Sequence, residues 1–458
     1  QNFAQFGFVG EGTQVPGADT VWQASGEALT PDTPIDLRWD NAQGQRFRIR
    51  LSIDDNYMIT AEQTVANTGD APVVVAPFAT ITRTSLTASQ STWISHSGPI
   101  GAFDGAVDYG PDYDDVVEQK AVSGGADPAW IGFTDIYWLG ALIPEAGSAP
   151  DTGFRSLGDN LFRADLIYNP ATLQPGRQIS RTSQLFAGAK ESNVLDAYQD
   201  AGIAQFGLAI DWGWFRWFEK PILWLLRQIF SVVGNFGVAI ILLTCIVRGL
   251  MFPIAQKGFA SMASMKAIQP EMKKLQEKHK DDKLTQQQEM QKLFKERGVN
   301  PVAGCLPMLL QIPVFFALYK VLILAIEMRH QPFVFWIRDL SAPDPAHILN
   351  LFGMLPFEVP GMLALGPLAL LLGFTMWLTF RLNPAAMDPV QQQVFSIMPW
   401  VMMFVMSPFA AGLLLYWNTS NILTLAQQKY LYSKHPQLRE AAEKERAEKA
   451  RAQSESKA

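Results

Sequence analysis

One charge stands out among the residues able to do chemistry. Between Arg227 and Lys257 the chain reads QIFSVVGNFGVAIILLTCIVRGLMFPIAQ, and Arg248 is its only charged side chain. The apolar run 232–254 is long enough to cross a bilayer core as a helix, which takes about 20 residues. A charge inside such a run costs about 2.5–3.5 kcal/mol on insertion scales and usually faces a polar cavity. Snorkelling is the competing reading, because Arg248 lies only six residues before Ile254. Thr244, four residues earlier, shares the face of Arg248 on a helix. Gln311 interrupts a second apolar run at a comparable depth. A third run carries Tyr416, Trp417, Asn418, Thr419, Ser420 and Asn421 in sequence. That is poor material for facing lipid, although small polar residues such as Ser420 and Thr419 can also glue helices together. Convergence of these groups would make a wet, positively charged pocket open to one leaflet. The outer halves of the runs are apolar, so no path across the bilayer follows.

Elsewhere the chain offers little chemistry. His96 is the one histidine in residues 1–205, and a strand-and-turn setting makes it structural. Asp112, Asp114, Asp115 and Glu118 lack the spaced ligands and glycine of an EF-hand loop and read as a solvated loop. No phosphate loop, metal-ligand pair or nucleophile elbow is present. The expectation is a protein that is not an enzyme, with no catalytic residue, no metal and no cofactor.

Charge and hydropathy divide the 458 residues. Residues 1–205 carry 25 Asp/Glu and 11 Lys/Arg, a net of −14; with −6 overall, the remainder is +8. Both cysteines, Cys245 and Cys305, fall in apolar segments of the second half, so the first half must rely on a core rather than disulfides. Gln1 is not a starter methionine and no export segment opens the chain, which suggests that such a segment was removed or that the chain is truncated.

The first half reads as β structure. FRIRLSI (47–53) alternates apolar and polar residues, an Asp-Asp-Asn turn follows, and YMITAEQTV continues as the next strand. VVVAPFATITRTS, IGFTDIYWLGALI, LFRADLIY and QISRTSQLFAG are further strands, closed by a short helix at 193–204. Many strands separated by turns indicate a sandwich or barrel. Residues 206–231 then interleave Trp212, Trp214, Trp217 and Trp224 with Arg216, Lys220 and Arg227, the composition of a membrane interface. A helix there would turn Ile222, Leu225, Leu226 and Ile229 to lipid.

Residues 232–432 read as five spans, near 232–254, 301–326, 361–380, 390–408 and 411–428, the last two hinged at 408–412. After the first span, 257–298 forms a polar helical hairpin broken at 280–283, with nine Lys/Arg and six Asp/Glu within 258–297. The positive-inside rule puts it in the cytoplasm. Its methionines either meet a nascent chain or seal the two helices together. Residues 327–360, with two basic and four acidic residues, suit an external loop. The tail 433–458 has no apolar face and is a solvated helix or disorder.

Four strings carry a family resemblance: VRGLMFPIAQKGFASMASM, the glutamine-rich hairpin, VNPVAGCLPMLLQIPVFFALY, and GLLLYWNTSNILTLAQQ. Over about residues 207–434 the chain resembles the YidC-type membrane protein insertases. The first half resembles, in class and position, the large external domain of their Gram-negative members, a mutarotase-like supersandwich. The resemblance implies an α+β protein of the bacterial inner membrane. A periplasmic β-sandwich (1–205) would precede an interfacial helix (206–231), a five-helix transmembrane core (232–432) and a cytoplasmic tail (433–458). It places the family's membrane arginine on Arg248, its nearby threonine on Thr244 and its last-helix aromatic on Trp417. With Gln311, Tyr416, Asn418 and Asn421 these are the expected substrate-groove residues. Implied partners are nascent membrane proteins, the lipid bilayer, the ribosome, the Sec translocon and the signal-recognition machinery, with no specific nucleic-acid sequence. Three departures accompany it: no first transmembrane helix precedes the sandwich, Lys320 is charged where an apolar residue is expected, and the loop 351–360 is longer than usual. A small-solute transporter would need polar residues in both leaflets and repeated spans. A carbohydrate enzyme would need a paired acid and base. Neither pattern is present.

Overall fold

The computed structural model describes residues 2–89, 95–279, 282–298, 306–352, 354–355, 357, 359–382 and 389–434. The chain divides into two compact units: Gln1–Trp214 with Leu324–Glu327, and one that takes most of the remainder.

In the first unit the described strands build two antiparallel sheets. One has the order β1-β6-β13-β12-β9, with β14 alongside β6; the other runs β2-β3-β4-β5-β15-β11-β10-β7-β8. The strands are β1 Asn2–Glu11, β2 Gln23–Ala24, β3 Ile35–Asp40, β4 Gln45–Ile53, β5 Met58–Asn67 and β6 Val73–Thr84. They continue as β7 Gly98–Phe103, β8 Ala106–Asp108, β9 Ala121–Ser123, β10 Trp130–Thr134 and β11 Trp138–Ile143. The last are β12 Asp151–Gly158, β13 Leu161–Ile167, β14 Ala171–Leu173 and β15 Gln178–Ala189.

Period-two patterning explains the two-layer packing. Along β4, Phe47 and Ile49 are buried while Arg46 and Arg50 stay exposed. Ile81, Phe154, Phe162 and Leu166 of one sheet meet Phe103, Ile131, Phe133 and Leu142 of the other in one core. Of the sandwich or barrel that the strand pattern indicates, the two sheets form a sandwich. β10 and β11 run so close that a Cβ on Gly132 would lie 1.9 Å from the Gly140 carbonyl oxygen, which only glycine allows.

The acidic cluster is not a loop. Asp112 and Asp115 form a reciprocal capping box at the start of helix α1, Tyr113–Gln119, each carboxylate accepting from the other's backbone N–H at 2.9 Å. The cluster therefore serves the orphan amides of a helix N-terminus, where negative charge is favoured. Helix α2, Ser192–Asp200, closes the domain as expected.

The second unit is helical. Helix α3 covers Arg216–Val233, α4 Phe236–Ala267, α5 Gln269–Lys278, α6 Lys283–Glu296 and α7 Leu306–Leu324. After a long loop come α8 Pro367–Leu382, α9 Pro389–Met406 and α10 Ala411–Lys434. Among the described residues, one helix, over Phe236–Gly258, is long and apolar enough to cross a membrane; Leu309–Leu324, Pro367–Arg381 and Gln393–Met406 are shorter apolar helices.

In α3, Ile222 and Leu226 do not face outward as the sequence suggested. Both are buried, in a helix that packs on α4. Trp217 and Trp224 carry the exposed face instead.

Between α5 and α6, Ile268 and Leu293 are buried with Met272, Leu275 and Phe294 around them, so Met272 seals the hairpin. Arg297 adds a 2.6 Å ion pair with Glu271. Asp282 caps α6 through the amides of Leu284 and Thr285, and its bonds to the Thr285 hydroxyl and amide hold the carboxyl below its usual range. The tail beyond Lys434, most of the 381–388 turn, and the side chains of Met262 and Met265 lie outside the described residues.

Candidate functional site

Helix α10 positions most of the polar residues, and its periodicity sorts them. At about 100° per residue, positions 416, 420 and 427 fall within about 40° of one another, while 418 and 421 lie on a face about 140–200° round. The two faces meet different helices.

The first face meets α4. Arg248 Nε donates to Ser420 Oγ at 3.0 Å, and a terminal guanidinium nitrogen donates to the same oxygen. Gln427 Nε2 donates to the Arg248 backbone carbonyl at 3.4 Å. Tyr416, one turn before Ser420, is buried and takes a hydrogen bond from Gln311 of α7. Among the described residues, no carboxylate lies within salt-bridge distance of Arg248, so its positive charge is met only by a neutral hydroxyl. The buried Gln311 Oε1 has no hydrogen-bond partner among those residues. Thr244 is buried on α4, and its hydroxyl donates back to the Ile240 carbonyl at 2.6 Å.

The second face meets α8. Asn418 Nδ2 donates to the Leu368 and Leu414 carbonyls, each at 2.9 Å. Thr375 Oγ1 donates to Asn418 Oδ1 at 3.3 Å and accepts from Asn421 Nδ2 at 3.1 Å. All three side chains are buried. This network joins α8 to α10, and the two N–H groups of Asn418 are both taken by backbone carbonyls. Trp417 lies between the two faces, edge-on to Phe315 of α7 with ring centroids 5.0 Å apart.

Of the seven expected groove residues, Arg248, Gln311 and Tyr416 thus share one face. Thr244 lies one turn from Arg248 on α4, Trp417 flanks through α7, and Asn418 and Asn421 belong to the α8 seam. Two participants lie outside the expected groove set. Ser420 belongs to the polar turn 416–421 but also reads as helix glue, and Thr375 is not among the expected residues. The i+4 spacing of Ser420 from Tyr416 was the available signal for the first. Thr375 and Thr379 sit in an otherwise apolar run, where each hydroxyl can be satisfied by its own helix, so only the packing reveals the partners of Thr375 on α10.

Two family models together span most of the chain. One described as "60Kd inner membrane protein" matches residues 228–439, and one described as "YidC periplasmic domain" matches residues 1–225. Over 457 residues the chain is 44% identical to the membrane protein insertase YidC of Zymomonas mobilis subsp. mobilis, covering 98% of this chain and 79% of the relative. Over 446 residues it is 43% identical to the protein of that name from a Methylobacterium species (strain 4-46), covering 94% and 71%. A crystal structure of an active YidC insertase with its first transmembrane domain resolved aligns with 92% of this chain and 82% of its own, at 17% identity and a TM-score of 0.39.

Proposed function

This chain belongs to the YidC family of membrane protein insertases, and from that premise we propose that Arg248 receives polar segments of nascent membrane proteins and eases them into the bilayer. The family's role is membrane protein insertion in the inner membrane, with nascent membrane proteins and the bilayer as its counterparts. The observation that carries the finer reading is a guanidinium in an apolar helix, held by Ser420 and facing no carboxylate among the described residues.

The energetics are of matching size. A carboxylate at a helix centre in the bilayer costs about 2.5–3.5 kcal/mol on insertion scales. A unit charge of opposite sign 4 Å away returns about 4 kcal/mol at an effective dielectric constant of 20. One arginine is therefore enough to offset one acidic residue of a substrate. Gln311 and Tyr416 add neutral hydrogen-bonding capacity beside it, and Thr244 and Trp417 flank the groove. Asn418 and Asn421 support this groove by holding α10 against α8. The apolar part of the substrate then leaves laterally between helices.

In this reading, residues 1–205 form the periplasmic domain, 206–231 lie at the interface, and 232–432 form a five-span core. The 257–298 hairpin and the 433–458 tail are cytoplasmic. Their basic residues suit contact with a ribosome, and the Sec translocon and signal-recognition machinery are further partners. The test is insertion into proteoliposomes of a short single-span substrate with an acidic outer tail, and of the same substrate with that tail neutralised. Arg248→Ala should cripple the first and spare the second, and Arg248→Lys should retain part of the activity. Equal insertion of both substrates by Arg248→Ala would reduce Arg248 to an interfacial anchor.

A further inference from the structure

We propose that the loop joining α7 to α8 is a preformed membrane-surface anchor whose apolar side chains enter the outer lipid leaflet; this rests on α7 and α8 being membrane spans.

The loop displays a cluster of large apolar side chains. Phe335 is 90% exposed, Met354 81%, Phe352 61% and Phe357 50%, with Leu349 and Trp336 exposed beside them. Of its acids, Asp344 is buried, and Asp339 is half-buried and paired with the exposed His330. Asp339 accepts from the backbone and ring of His330 and from the backbone and hydroxyl of Ser341. Asp344, 1% exposed, accepts from Trp336 Nε1 at 2.9 Å and from the amides of Ala346 and Leu368, each at 3.1 Å. The Leu368 bond caps the start of α8. A Cβ on Gly366 would lie 2.5 Å from the Asp344 carboxylate, so that cap also needs glycine there. Arg338, by contrast, is exposed three residues from Phe335. Exposed aromatic and aliphatic groups next to a cation match acyl chains beneath phosphate headgroups.

The loop is also held in place. Ala411 and Gly412, at the start of α10, donate to the Ala342 and Leu340 carbonyls at 2.7 and 2.9 Å. Phe333 N–H bonds the Ile337 carbonyl at 3.0 Å, and Ile337 N–H bonds the Val334 carbonyl at 3.2 Å. Phe335 sits within that turn at φ +56°, a conformation costly for a bulky residue. The backbone that displays its ring is thus ordered before binding, which lowers the ordering cost. Lipid is the occupant because both ends of the loop enter helices of the bilayer, which keeps this face at the membrane surface.

The test uses the full chain with Cys245→Ala and Cys305→Ala, reconstituted in phosphatidylethanolamine/phosphatidylglycerol vesicles. Single cysteines at Phe335→Cys and Phe352→Cys carry a nitroxide. Leu371→Cys on α8 serves as a control for the span, and Leu86→Cys in the β domain as a control for water. Collisions with oxygen exceeding those with a water-soluble nickel chelate at 335 and 352, at a depth shallower than 371, are expected. Nickel-dominated collisions at 335 and 352 with a lipid signal at 371 would overturn the anchor and leave the span intact. A water signal at 371 would overturn the span and the anchor with it. Shielding of 335 from both reagents would mean that protein covers this face and would refute the lipid assignment.

Discussion

Ser420 offers one oxygen to two guanidinium nitrogens of Arg248. That fixes the direction of the guanidinium without neutralising it, because a hydroxyl carries no charge. Ser420→Ala should therefore lower insertion of an acidic-tailed substrate by about five-fold, the equivalent of about 1 kcal/mol for one hydrogen bond. Initial rates in proteoliposomes measure this, and the loss should be smaller than that of Arg248→Ala. In the β domain, Lys190 is fully buried, donating to Thr134 Oγ1 at 2.9 Å and to the Ala209 carbonyl at 3.3 Å. Burial pushes its ammonium down from the ordinary 10.5 to about 7, against the smaller opposing pull of Asp135 and Asp211. Between those two values the unfolded chain holds a proton that the folded domain has released. Folding stability should therefore rise as pH climbs from about 7 towards 10.5, and the penalty should be fully present below 7. Urea midpoints at pH 7 and 9 should differ in that direction, and Lys190→Met should flatten the difference.

At the scale of elements, α10 is the hinge of the helical unit because its two polar faces serve different neighbours. The α8 face is a closed network. Asn418→Leu would remove both amide atoms and with them the hydrogen bonds to the Leu368 and Leu414 carbonyls and from the Thr375 hydroxyl, at a cost of about 0.5–1.5 kcal/mol for each bond lost. The expected outcome is a lower melting temperature in detergent, with the acid-selective dependence on Arg248 preserved in whatever protein remains folded. Loss of that selectivity at unchanged stability would instead put Asn418 in the groove. Helix α3 teaches the same lesson through apolar groups. Leu226 is fully buried, so Leu226→Ala should cost about 2–5 kcal/mol, whereas Trp224→Ala, on the exposed side, should cost far less in detergent. Melting curves of the two variants compare them directly.

For the whole molecule, two compact units with separate cores imply two unfolding events. Phe133→Ala, in the core between the sheets, should shift one calorimetric transition by the equivalent of about 3–5 kcal/mol. Leu322→Ala, buried in α7, should shift only the other, by about 2–5 kcal/mol. A single transition moved by both would mean that the units unfold together. Much of this architecture was legible in the chain itself. Period-two alternation in FRIRLSI and its successors dictates strands, because one face must be dry and the other wet. The hinge at 408–412 and the break at 280–283 stop helices for local reasons of proline, glycine and charge. The isolated charge at Arg248, and the strings around it, also stand in the sequence without any fold. Tertiary structure decided the rest, because it depends on which helix lies against which. Only packing sets Ser420 against Arg248, gives Asn418 and Asn421 to Thr375, and turns Ile222 and Leu226 inward. A side chain's neighbours along the chain fix its helix face, but its partner across a seam is chosen by the fold.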